Sequence, residues 1–119
     1  MSSRRLERVT ELIHQEVSKL VLTLKDPGIG FVTIVAVRMT PDFAQAKVFY
    51  SVLGTPDEQE RTQFALDRAK PYFRHQMRTL ESLKFPPELT FVPDHSAEEA
   101  QKVLDVLNKL ENERGKDPS

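Results

Sequence analysis

The sequence contains no cysteine. Disulfides, thiolate metal ligands and cysteine nucleophiles are thereby excluded, and a reducing compartment suits such a chain. No apolar run approaches the ~18 residues that a membrane span requires. Arg4, Arg5, Glu7 and Arg8 break up the N-terminus before a signal-peptide core can form. The expectation is a cytoplasmic protein without membrane association. Excess charge is lacking too: 17 basic residues face 18 acidic ones, a formal net charge of -1. That balance argues against a histone-like general nucleic-acid binder but leaves local patches open. There is no GxxxxGK[ST] loop, so nucleotide hydrolysis is not expected. The only histidines are His14, His75 and His95, and no two stand at zinc-ligand spacing. Asp94-His95-Ser96 holds triad residue types, but adjacent side chains point apart. No catalytic residue, metal ligand or cofactor site is expected.

What is present is one domain's worth of patterned chain. The 119 residues fit a single unit, assigned to 1–111, followed by a polar tail at 112–119. Leu6, Val9, Ile13, Val17, Leu20 and Leu24 recur at three- and four-residue steps and predict a helix over 4–24. Lys25-Asp26-Pro27-Gly28 ends it. Residues 31–38 and 43–52 read as two strands joined by the short Thr40-Pro41-Asp42 turn, hence an antiparallel hairpin. On the second strand, Ala44, Ala46, Val48, Tyr50 and Val52 share one side, with Gln45, Lys47 and Ser51 on the other. A helical pattern runs from 57 to 83, with Pro71 inside it. An interior proline costs ~3 kcal/mol in a regular helix, so the segment should be two helices meeting near Ala69-Lys70-Pro71. Residues 88–92 read as a third strand. Ser96 is the expected cap of a last helix running to about Leu110, with Ala100, Val103, Leu104, Leu107 and Leu110 facing inward. The order predicts an α+β fold: a three-stranded sheet with helices packed on one face.

Charge separates sharply in one place. Arg68, Lys70, Arg74, Arg78 and Lys84 stand against Glu81 alone over positions 68–84. Lys70, Arg74 and Arg78 are each four residues apart and make one helical stripe. Leu66, Ala69, Phe73, Met77 and Leu80 make the adjacent apolar stripe. Tyr72, Phe73 and Met77 are expected in the core, as are Phe49 and Tyr50. A basic run on a helix is commonly just a solvated face. Arg4, Arg5 and Arg8 form a smaller cluster, and Lys25, Arg38 and Lys47 are isolated cations.

Several segments together resemble the ribosome-binding factor A family. They are Arg8-Val9, Lys25-Asp26-Pro27, the strand Val32 to Val37, Ala46 to Gly54, Pro87-Glu88-Leu89-Thr90-Phe91, and Asp94-His95-Ser96. The similarity covers about residues 4–108. It implies a type II KH-like domain with a kinked helix pair. Ordinary KH domains clamp nucleic-acid backbone with a GXXG loop between two helices. The family carries an Ala-X-Gly-like kink there instead, and Ala69-Lys70-Pro71 occupies that place, with proline where the family pattern has glycine. Proline keeps a bend but removes an N–H, so weight shifts to the side chains of Lys70 and Arg74.

The resemblance implies a non-enzymatic factor that binds the free or immature small (30S) ribosomal subunit. It further implies help with 16S rRNA processing and late maturation, and a link to growth in the cold. The RNA-contacting residues expected on that basis are Arg68, Ala69, Lys70, Pro71, Arg74, Arg78 and Lys84, with Arg4, Arg5 and Arg8 as a second contact. No small-molecule substrate is expected, and the free protein is expected to be a monomer. If four or five of these cations neutralise phosphates, log K should fall with log salt at a slope of roughly -3 to -4.5. Two other readings fit the same scaffold: a protein–protein interaction module, which the near-neutral charge favours, and a small RNA-acting enzyme.

Overall fold

A computed structural model describes residues 3–24, 26–80, 83 and 85–115. Helix α1 (Ser3–Thr23) carries the predicted apolar stripe, and Ile13, Val17 and Val21 are buried. They pack on the first strand, β1 (Phe31–Met39), whose Ile34 and Val37 face them. Thr40-Pro41-Asp42 turns the chain into β2 (Gln45–Leu53). The Asp42 carboxylate holds that turn, accepting from the Thr40 hydroxyl at 2.6 Å and the Ala44 N–H at 3.1 Å. β1 and β2 pair antiparallel, from Phe31 opposite Leu53 to Met39 opposite Ala46. The register slips between Ile34 and Ala36, leaving Val35 as a bulge on β1.

Thr55 caps the next helix, α2 (Pro56–Arg68), accepting the Glu58 N–H at 3.2 Å. α2 stops at Arg68, and α3 (Lys70–Arg78) begins after a single intervening residue. That hinge is Ala69 at φ -83°, ψ -4°, with Pro71 in the first turn of α3. Proline is tolerated there because its missing N–H falls in the first turn. The expected kinked pair is thus present. β3 (Glu88–Pro93) then pairs parallel with β2, Gln45 opposite Glu88 and Tyr50 opposite Pro93, giving the order β1-β2-β3.

One face of this sheet is covered by α1, α2 and α3. Alternation puts Ala46, Val48, Tyr50, Leu89 and Phe91 on that face, all buried with Leu66, Phe73 and Met77. The Phe73 ring lies 5.4 Å from Phe91, and Tyr50 meets Phe91 edge-on. Gln63 on α2 fastens the layer by accepting from the Tyr50 hydroxyl and donating to the Phe91 carbonyl at 3.1 Å. Thr62, fully buried, accepts the Gly30 N–H at 3.2 Å and ties the loop before β1 to α2.

Four expectations need correction. Helix α4 (Ser96–Gly115) does not turn its apolar residues inward: Val103, Leu104, Val106, Leu107 and Leu110 are all 52–59% exposed. It projects from the sheet end, and the molecule's longest extent is 69 Å. Ser96 is not its side-chain cap; the Asp94 carboxylate plays that part, accepting the Ser96 N–H at 2.8 Å. Tyr72 is exposed, its hydroxyl 3.2 Å from that of Thr23, because α3 turns that position past the edge of the core. Phe49, expected in the core, lies half-buried on the uncovered sheet face.

Candidate nucleic-acid interface

The kink places the start of α3 over the start of β3. Between them is a groove of about 250 Å³ lined by Lys70, Pro71, Arg74, Pro87, Glu88 and Leu89. Phe73 and Met77 are buried on the inner side of α3, which leaves Arg74 and Arg78 exposed on its outer side, one turn apart. Neither arginine lies within 4 Å of a carboxylate among the described residues, although Glu88 shares the groove. Lys70 is partly engaged, its ammonium 3.7 Å from Asp67 one turn back. The first turn of α3 has no side-chain cap, and Pro71 within it has no N–H.

Arg68 is placed differently. Its guanidinium donates to Asp26 at 2.8 Å and lies 4.9 Å over the Phe64 ring. Asp26 is itself organised by the Gly28 N–H, at 2.8 Å. The Gly28 amide first, and then Arg68, hold the Asp26 carboxyl below its ordinary value. Arg68 therefore belongs to a second groove, between the Asp26–Gly28 turn and α2, which also holds Arg61 and the 61%-exposed Phe64. Sequence reasoning did not single out Phe64. An aromatic four residues before an arginine on one helix was the available signal.

The second cluster sits at the far end of α1. Arg4, Arg5 and Arg8 are exposed, and the Arg5 guanidinium lies 5.4 Å over the Phe43 ring. Phe43 occupies the hairpin turn at φ 62°, and the Ala44 carbonyl beside it accepts the N–H of Glu88, the groove residue. The hairpin turn thus joins the N-terminus of α1 to the β3 side of the groove. Arg38 and Lys47 lie opposite one another on the uncovered sheet face. Lys84 and Lys25 fall outside the described residues.

This arrangement, an α+β module whose bent helix pair overhangs a mixed three-stranded sheet, is a KH-like fold. The comparison with solved structures agrees. The crystal structure of ribosome-binding factor A from Thermus thermophilus superposes with a TM-score of 0.68 at 20% identity, over 76% of this chain and 97% of that one. A Thermus thermophilus model of the same factor, fitted into a cryo-EM map of a 30S complex, superposes at 0.63 and 20% identity, over 74% of this chain and 93% of that one. The family model for ribosome-binding factor A matches residues 5–107. Ribosome-binding factor A of Geobacter sulfurreducens is 39% identical over 114 residues, 95% of this chain and 97% of that protein. The chain belongs to the ribosome-binding factor A family.

Proposed function

We propose that this chain binds the free or immature small ribosomal subunit as a monomer, with the outer side of α3 against 16S rRNA backbone. Arg74 and Arg78 carry the reading. They are exposed on the second arm of the bend, beside a groove, with no described carboxylate to neutralise them. Arginine's planar fork of donors suits phosphate. Lys70 joins them once Asp67 is outcompeted. Arg4, Arg5 and Arg8, linked to the groove by the hairpin turn, supply a second contact. The fitted 30S complex of the Thermus thermophilus factor supports the choice of target.

No reaction is needed for such a protein to assist rRNA processing and late maturation in the cytoplasm. Binding one RNA arrangement more tightly than its competitors shifts the population toward it. The test is co-sedimentation of the Arg74→Glu/Arg78→Glu variant with purified small subunits. The expected outcome is loss of the bound fraction while circular dichroism stays native. Undiminished binding would refute the assignment of α3 as the RNA face.

A further inference from the structure

The molecule leaves two apolar surfaces uncovered, and both flank the Pro93–His95 connection. One is the stripe on α4, where Val103, Leu107 and Leu110 follow one another at helical spacing with Leu104 beside them. The other is the open face of the sheet. Phe31 and Leu53, paired across the strands, are 83% and 77% exposed there, and Phe49 and Val92 form its half-buried centre.

We propose that α4 is a self-docking arm: it turns about Pro93–His95 and lays its apolar stripe on the open face of its own sheet. The lengths agree. A 20-residue helix is about 30 Å long, as is a nine-residue strand such as β2. Connections of this length routinely return a helix onto the sheet it has just left. Charge agrees as well. Arg38 and Lys47 face each other across β1 and β2 at the hairpin end of the open face, with no described carboxylate within 4 Å of either. Like charges directly opposite are unfavourable and call for an anion. A docked α4 would run from the Phe31–Leu53 end toward that pair. It would bring the negative end of the helix dipole and Glu111, two turns past Leu104, together with Arg114, two turns past Leu107 in the last turn. Little holds the arm away from the sheet: Gln59 donates to Glu98 at 3.2 Å in an exposed contact.

The cysteine-free sequence makes the test direct. Spin labels are placed at Thr90→Cys and Lys109→Cys, both exposed positions. The projecting arm separates them by more than about 30 Å, and the docked arm brings them to about 15–20 Å. The expected result is a short-distance population at micromolar protein that is lost in the Leu104→Asp/Leu107→Asp variant. That variant still folds and unfolds cooperatively, since the core of the described residues contains no α4 residue. A single long distance overturns the proposal. So does a short distance seen only when singly labelled chains are mixed, which would make a second copy the occupant. α3 lies on the opposite face, so either failure leaves the rRNA reading standing.

Discussion

The salt dependence of subunit binding tests the count of free cations, which differs between sequence and structure. Counting four or five phosphate contacts from the basic run gives a slope near -3 to -4.5 in log K against log salt. The structure lowers that count. Arg68 is held by Asp26 at 2.8 Å and by the Phe64 ring, and should add nothing. Lys70 is shared with Asp67 at 3.7 Å and should contribute partially. Arg74 and Arg78 should contribute about one each. Among the described residues the helix pair then neutralises two to three phosphates, contributing about -1.4 to -2.7 to the slope and a roughly 7- to 40-fold loss of affinity between 50 and 200 mM salt, to which any contact by Arg4, Arg5, Arg8 or Lys84 adds. Fluorescence anisotropy of labelled protein against small subunits, at constant magnesium, measures this. Arg74→Gln/Arg78→Gln should flatten the slope by about 1.4–1.8, and Arg68→Gln should leave it unchanged. An Arg68→Gln slope change equal to that of Arg74→Gln would refute the reasoning, because it would show that the Asp26 pair opens to release a phosphate ligand.

Further predictions concern the scaffold that aims α3. Phe73, fully buried against Phe91, should cost about 3–5 kcal/mol when cut to alanine, read by urea denaturation. Gly54 sits at φ +147°, and an added Cβ would lie 3.0 Å from that of Glu58; Gly54→Ala should cost about 1–3 kcal/mol in the same assay. Burial pushes the Tyr50 phenol up to about 12 from its usual 10. A raised folded-state value means stability that is complete below pH 10 and lost progressively as pH rises toward 12. The thermal midpoint of wild type should fall over that window, and Tyr50→Phe should lack that component.

Much of this architecture is legible in the residues. Strict alternation on β2 and the three- and four-residue steps of α1 report their own period, and Pro71 reports the bend, because these signals are local. α4 marks where such signals end. Periodicity says that Val103, Leu104, Leu107 and Leu110 share a side; it does not say what covers them, and in the structure they stand exposed. The pairing of Arg68 is hidden from the sequence for a related reason. Its neighbours in sequence are cations, but its partner Asp26 is 42 residues away and arrives only through the packing of α2 on the loop after α1. Arg74 and Arg78 keep the exposure the helical stripe predicts, because no described acid from a distant segment reaches them.

The bulge at Val35 carries a consequence beyond the fold. β1 is an outer strand of nine residues, FVTIVAVRM, without proline and with a single charge. Such a segment, laid flat, is a template on which other chains could add strands and grow fibrils. The slipped register bends the rim at its middle, and the His14 ring meets the Ile34 carbonyl at 3.2 Å just beside it. An incoming chain therefore finds no straight row of free amides. A single surplus residue lets the protein keep a greasy border strand without presenting a flat template.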